Sequence, residues 1–361
     1  MALGRQFKLR MRKCGRHECR DRGGAKTLME TSWRVDVAAA LAALEVRPLT
    51  HVFLVACGGS LSVMLPGKVI MDRFAPDLPC DALNAEEFIC RAPARLGPAA
   101  LVILCSQTGS TKETVAAAHF ARGKGAATIA MSLDIASPLA IAADYAVAYR
   151  AHYTTGEKID AADSNYAVLY CLLAGLLAQR GQANLLAALR KSLAGLQPAI
   201  DRAKVALAEP LAAYAPRFAN APAVYTLGAG ANFGAAYSFA ICVLMEMQWI
   251  NSQAIHANEF FHGPFEVVDK SACFIAMLGT GPSRRLEERA RDFLLRYGDA
   301  RNIMVLDAAG LDLDGLEEPF REFLAPLVFF DVLWGFAFRL ADARSQPMLE
   351  ARRYMKKIAN Y

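Results

Sequence analysis

Short apolar runs alternate with amphipathic segments along most of the chain. In the first half, β-branched apolar runs predict strands, and apolar residues at helical spacing predict the helices between them. The strands are predicted at 51–56, 101–105, 127–132 and 145–149, and the helices at 60–74, 111–123 and 136–143. Strands that alternate with helices in this way are typical of a parallel sheet covered on both faces. The pattern therefore predicts a doubly wound α/β domain.

The second half repeats this order after a long helical connector. Strands are predicted at 223–227, 272–278 and 302–306, and helices at 235–250 and 283–296. Because strand, small-residue turn and helix recur, we expect two related subdomains joined by the connector. The predicted boundaries are 29–160 for the first subdomain, 161–215 for the connector, 216–310 for the second subdomain and 311–361 for a C-terminal helical segment and tail. The most apolar stretch of that last segment, 323–338, contains a proline and an aspartate, which favours a buried helix over a membrane span.

The net charge of +5 is concentrated at the start of the 361-residue chain. Residues 1–27 carry nine Lys and Arg against two acidic residues, a net +7 that leaves −2 for the rest. Too few apolar residues are present there to offset the entropy of ordering, so we expect residues 1–28 to form a disordered arm that catalysis does not need. A natural start near Met29 stays open. The charge of the remaining chain does not favour nucleic-acid binding, and nine cysteines without paired spacing indicate reduced thiols in the cytoplasm.

Polar turns follow two of the predicted strands. The turn at 106–111 carries four hydroxyl groups in six residues, and Gly58-Gly59-Ser60 follows the first strand. Hydroxyl groups and the N–H groups of a helix N-terminus suit a phosphate, because the helix dipole favours negative charge there. Helix capping alone would need only one hydroxyl. We therefore predict that the two turns form a cradle for a sugar phosphate.

A third turn, at 228–234, contains three glycines without the spacing of a dinucleotide-binding fingerprint. The third glycine of a G-x-G-x-x-G motif would fall at Phe233, and position 254, where an acidic residue would meet the ribose, is alanine. We therefore expect no dinucleotide at this turn.

The densest polar cluster of the chain consists of one glutamate in an apolar segment and the HANEFFHGPFE sequence that follows it. Glu246 lies in a predicted helix, where burial would raise the pKa of its carboxyl group and suit it to act as a general base. The alternative is that Glu246 lies on the solvent-exposed face of an amphipathic helix and has no catalytic role. His262 is either a general acid or a loop histidine. Metal binding by His256, Glu259 and His262 is not favoured, because their spacing spreads the side chains around a helix that the next Gly-Pro would break.

Five segments carry a resemblance to a known family. They are VACGGSL at 55–61, SQTGSTKET at 106–114, MEMQWI at 245–250, HANEFFHGPFEVVD at 256–269 and RRYM at 352–355. Over about residues 30–361 the chain resembles SIS (sugar isomerase) domain proteins, and among them the deglycases of 6-phosphorylated fructosamines, or Amadori products. It resembles in particular the deglycase that acts on 6-phosphofructose-aspartate, and near it those that act on glucoselysine 6-phosphate and fructoselysine 6-phosphate.

This resemblance implies roles for the matching residues. Glu246 would be the catalytic base and His262 the acid, in an active site built between the two subunits of a homodimer. The implied phosphate ligands are Gly59, Ser60, Ser106, Gln107, Thr108 and Thr111. Further candidate contacts to the substrate, a phosphorylated sugar amine, are His256, Glu259 and Lys357. The chain departs from the family's pattern around the last of these residues.

The implied reaction is hydrolysis of a 6-phosphorylated fructosyl amino acid to glucose 6-phosphate and a free amino acid. His262 would help to open the sugar ring, Glu246 would remove a proton from C1 to give an enaminol, and reprotonation at C2 would give an aldimine that water hydrolyses. No cofactor or metal is expected, because the substrate nitrogen supplies the electron sink. A phosphosugar aldose–ketose isomerase and a non-catalytic sugar-phosphate-binding regulator are the alternatives. The sequence does not identify the amino acid, although Arg352 and Arg353 could meet its carboxylate.

Overall fold

The first half of the chain forms a parallel sheet with helices on both faces. The computed structural model describes residues 34–355 and 357–358, so the predicted basic arm lies outside the described residues. The first elements are α1 (Val35–Leu44), β1 (His51–Ala56), α2 (Gly58–Phe74), β2 (Cys80–Asn84), α3 (Ala85–Arg91), β3 (Ala100–Cys105), α4 (Lys112–Gly123), β4 (Ala127–Ser132), α5 (Pro138–Ala142) and β5 (Tyr145–Ala148). Within the described residues, five parallel strands follow the order β2-β1-β3-β4-β5.

A helical region leads to a second parallel sheet. The elements are α6 (Asn165–Gln179), α7 (Ala183–Ala212), α8 (Ala215–Phe218), β6 (Ala223–Gly228), α9 (Asn232–Ser238), β7 (Asn251–His256), β8 (Cys273–Leu278), α10 (Arg284–Tyr297), β9 (Ile303–Asp307) and α11 (Arg321–Arg344). In the part of the chain that is described, this sheet has four strands in the order β7-β6-β8-β9. The predicted fold class, two parallel α/β units flanked by helices, is confirmed, whereas the exact domain boundaries stay predictions.

Helices bury both faces of the sheets. Every residue of β1, β3 and β4 is buried. One large apolar cluster joins α2, α6, α7, α9 and α11, and smaller clusters lie under α3 to α5 and under α10. By length and composition α11 could cross a membrane, but 72% of its most apolar window is buried inside the protein. The prediction of a buried helix at 323–338 is therefore confirmed.

The structure corrects the predicted helix at 235–250. Helix α9 continues as a π-helical segment, Phe239–Met245, and residues 246–248 form a turn before Trp249, whose φ is +54°. Glu246 therefore lies just beyond the helix and not within it. Strands β2 and β7 were not predicted, because both are sheet edges whose sequences are polar and only partly buried.

Candidate functional site

The two polar turns lie side by side at the carboxyl-terminal end of the first sheet. Because β1 and β3 are parallel neighbours, the turns that follow them meet at the carboxyl ends of the strands, where ligands bind in sheets of this type. Both turns line a cavity of about 1410 Å³. All six predicted phosphate ligands line this cavity: Gly59, Ser60, Ser106, Gln107, Thr108 and Thr111.

Hydroxyl pairs organise the second of these turns. The hydroxyl groups of Ser106 and Thr111 are 2.8 Å apart, and those of Thr108 and Ser110 are also 2.8 Å apart. Thr111 is the N-cap residue of α4, but its side chain makes no capping hydrogen bond. Gly109 has a φ of +62°, and a Cβ atom there would come within 2.1 Å of a serine hydroxyl. The Thr111 hydroxyl is thus not used to cap α4, and Gly109 allows the turn to pack closely against Ser137; binding of a phosphate here stays a prediction.

The π-helical segment brings the second half of the chain against the first turn. A Cβ atom added at Gly59 would lie 3.5 Å from Cys242 Sγ, so the start of α2 touches this segment. Burial raises the pKa of the Cys242 thiol to about 12, and the nearby Glu246 carboxylate adds to the rise. Cys242 and Glu246 both line the cavity. The structure therefore brings the predicted base and the predicted phosphate ligands together around one space within a single chain.

An arginine from the end of the chain contacts the predicted base. Arg352 Nη1 donates to Glu246 Oε1 over 3.2 Å, and the two side chains are 22% and 21% exposed. The segment that carries this arginine is held by Gln346, which donates to the Met247 carbonyl over 2.9 Å. The neighbouring Arg353 instead lies over the ring of Trp249, 3.6 Å from its centroid.

The other predicted catalytic residue lies elsewhere. His262 is exposed in a short 3₁₀ helix, Glu259–His262, which follows the half-buried His256 at the end of β7. Phe260 and Phe261 of that helix pack against Phe293 of α10 at centroid distances of 5.7 and 5.8 Å. Among the described residues that line the cavity, none belongs to this segment.

The remaining candidate contacts are also outside the described cavity wall. Glu259 is exposed, and the exposed Lys357 donates to the Glu350 carbonyl over 3.1 Å. A role for either residue, as for His256, stays a prediction.

One wall of the cavity was not predicted. It contains Tyr153, whose ring stacks on Trp334 at 4.6 Å and whose hydroxyl donates to Asp331. Lys204 pairs with the same aspartate and donates to the tyrosine hydroxyl over 3.0 Å. Burial is the main cause that raises the pKa of Tyr153. The sequence contained a signal for this wall, since Asp331 interrupts a long apolar run.

Comparisons with known proteins match most of the chain. Residues 46–177 match the SIS domain family. Over 323 residues, which are 90% of this chain and 96% of the relative, the sequence is 44% identical to fructosamine deglycase FrlB of Bacillus subtilis. It is 27% identical to fructoselysine 6-phosphate deglycase of Escherichia coli, over 87% of this chain and 88% of the relative. A solved Bacillus subtilis structure described among the phosphosugar isomerases has a TM-score of 0.86 and 43% identity, over 90% of this chain and 97% of that one.

Proposed function

The chain belongs to the SIS-domain family that includes the fructosamine deglycases, and we propose that it hydrolyses 6-phosphorylated fructosyl amino acids to glucose 6-phosphate and a free amino acid. One observation supports the proposal: the predicted phosphate ligands and Glu246, the predicted base, line the same cavity. The cavity volume of about 1410 Å³ leaves room for an amino acid beside the sugar phosphate. The names of two similar proteins, a fructosamine deglycase and a fructoselysine 6-phosphate deglycase, support this substrate class.

In the proposed reaction the cradle anchors the 6-phosphate, and the proton transfers take place at C1 and C2. Glu246 removes a proton from C1 of the open-chain ketoamine, and the electron pair forms the C1–C2 double bond of an enaminol as the C2 carbonyl oxygen takes up a proton. Protonation of C2 then moves the double bond to C1–N, which gives an aldimine. Water adds to C1, the C1–N bond breaks, and the amine leaves with a proton. His262 supplies the acid that opens the ring.

We propose that His262 reaches this reaction from a second copy of the chain. It is exposed and outside the described cavity wall, whereas Glu246 lines the cavity. Large apolar side chains beside Glu246 are also exposed, with Met245 at 46% and Trp249 at 42%. Exposed apolar groups of this size are typical of a surface that a partner covers. A homodimer in which the partner subunit's His262 completes each site accounts for both observations.

Mixing two inactive variants tests this shared site. Glu246→Gln and His262→Asn chains, unfolded together and refolded as mixed dimers, would leave one intact site in each hybrid. About a quarter of the wild-type activity should return, because half of the dimers are hybrids and each has one working site. Light scattering should give the mass of two chains. No recovery of activity in confirmed hybrids would contradict the shared site.

Product analysis tests the reaction itself. Purified protein is incubated with 6-phosphofructosyl-glycine and, separately, with fructose 6-phosphate, while glucose 6-phosphate and free glycine are measured. The proposal predicts equal amounts of glucose 6-phosphate and glycine from the first substrate only. Conversion of fructose 6-phosphate would favour the isomerase alternative. Binding of both compounds without turnover would favour a regulator.

We also propose a cytoplasmic location for the enzyme. Cys80, Cys105 and Cys273 are buried thiols in the strands, which is typical of proteins in a reducing compartment.

A further inference from the structure

The contact between Arg352 and Glu246 places a cation beside the proposed base. The guanidinium lies 3.2 Å from Glu246 Oε1, and both side chains line the cavity. A neighbouring guanidinium stabilises the ionised carboxylate and so weakens it as a base. Arg352 also has more donors than its two contacts use, since Nε donates to the Leu349 carbonyl and Nη1 to Glu246. A second anion can therefore bind at the same guanidinium.

The reacting carbon of the substrate limits where such an anion can be. Glu246 must reach the hydrogen on C1, so C1 lies next to the carboxylate that Arg352 contacts. When an amino acid is linked to the sugar through its α-amine, its carboxylate carbon is three bonds of about 1.5 Å from C1. When lysine is linked through its side-chain amine, the carboxylate carbon is seven bonds away. Only the first linkage puts the carboxylate beside C1 whatever the conformation of the substrate.

We propose that Arg352 binds the α-carboxylate of amino acids linked to the sugar through their α-amine, and thereby selects this class of substrate. This inference rests on the proposed deglycase function. The substrate carboxylate competes for the guanidinium and weakens its hold on Glu246, so the base becomes stronger when the preferred substrate is bound. Arg352 is thus both a binding residue and the group that links substrate recognition to the base.

Two substrates that differ by one carboxylate measure this effect. The 6-phosphofructosyl derivatives of glycine and of methylamine share the sugar, the phosphate and the site of linkage. Hydrogen bonds to a charged group contribute about 1.5–3 kcal/mol, so the wild-type kcat/KM should be about 10- to 100-fold higher for the glycine derivative. The derivative of lysine linked through its side chain should behave like the methylamine derivative.

Variants at the end of the chain assign the preference to one side chain. Arg352→Gln should bring the ratio of the two kcat/KM values close to one. The kcat/KM for the glycine derivative should fall, while that for the methylamine derivative should be at least as high as with the wild type. Arg352→Lys keeps the charge but not the planar fork and should restore part of the preference. Arg91→Gln, which removes an exposed arginine of α3 that lies outside the cavity wall, is the control and should keep the wild-type ratio.

The possible outcomes separate this inference from the function on which it rests. Turnover of all three substrates at similar kcat/KM would leave the deglycase function standing and overturn the role of Arg352. An equal fall in kcat/KM for the glycine and methylamine derivatives in Arg352→Gln would mean that the residue has only a structural role. That result would also contradict carboxylate binding by Arg352. Absence of turnover with every substrate in the wild type would overturn the function and this inference together.

Discussion

The central strands of both sheets end in turns of similar layout. The turns of the first half open into a cavity, whereas those of the second half bind a carboxylate of the protein itself. In the first half, the turns after β1 and β3 open into the cavity and present hydroxyl groups to it. In the second half, the turns after β6 and β8 enclose the carboxylate of Glu287, a residue of α10 that is 3% exposed. Glu287 Oε1 accepts from Ala229 N and Asn232 Nδ2, both over 2.9 Å, and Oε2 accepts from Gly279 N over 2.7 Å.

This difference shows what the repeated layout provides. Backbone N–H groups after neighbouring parallel strands, close to a helix N-terminus, are arranged for negative charge in either half. In the second half the protein fills that place with its own carboxylate. In the first half the place stays open for the proposed phosphate. In the proposed site the second half contributes Glu246, which lies just beyond the helical segment that follows the turn after β6.

The largest expected effect concerns that contribution. Glu246→Gln keeps the shape of the side chain but removes the base, so kcat/KM should fall by about 10²–10⁴ while glucose 6-phosphate still binds. Steady-state kinetics and calorimetric titration of glucose 6-phosphate measure the two quantities. The exposed Glu45→Gln, outside every proposed site, is the control and should retain activity. Wild-type turnover in Glu246→Gln would contradict the role of Glu246 as the base.

Removal of the internal carboxylate should affect stability and not substrate affinity. Glu287→Ala leaves three buried donors without their acceptor, so we expect the free energy of unfolding to fall by about 3 kcal/mol. Urea denaturation measures this change. Glu288→Ala on the same helix removes a partly exposed ion pair with Arg284 and should cost well under about 1 kcal/mol. Equal effects in the two variants would mean that Glu287 does not hold the turns together.

The opposite result is expected in the open turn. Thr108→Val should lower the affinity for glucose 6-phosphate about tenfold, because one hydrogen bond to a charged group is lost, and should leave the unfolding midpoint almost unchanged. Thr50→Val, at the other end of the same sheet, is the control. Weaker folding without weaker binding in Thr108→Val would make this turn a structural one, like its counterpart in the second half.

The smallest expected effect is a pH dependence that comes from Glu287. Burial raises its pKa above the ordinary value of 4.5, while the three hydrogen bonds partly oppose the rise. The folded chain therefore holds this proton more tightly than the unfolded chain does, so stability falls as pH rises from 4.5 through the raised pKa. Urea denaturation across this range should show the wild type losing stability relative to Glu287→Gln, in which the group does not titrate. A gain in stability of the wild type relative to Glu287→Gln as pH rises would contradict this explanation.

The sequence predicted the open turn better than the closed one. The apolar runs of β1 and β3 and the hydroxyl groups after them are local features, so the strands and the polar turns that share the cavity could be predicted from the sequence. The partner of the second turn is Glu287, which is more than fifty positions away from Ala229 and sits in a highly charged helix. Nothing in such a helix marks one glutamate as buried. The ion pair between Glu246 and Arg352 could not be predicted for the same reason. It forms only because the folded chain brings the segment after α11 back to Glu246.

The most direct test of the comparison is a calorimetric titration that counts the glucose 6-phosphate molecules bound per chain, with glucose as the control lacking phosphate. We expect one molecule per chain and much weaker binding of glucose. Ser106→Ala combined with Thr108→Val should abolish the binding of glucose 6-phosphate, whereas Glu287→Gln should leave it intact. Two molecules per chain, or binding that survives the double substitution and is lost in Glu287→Gln, would contradict the assignment of the phosphate to the first half.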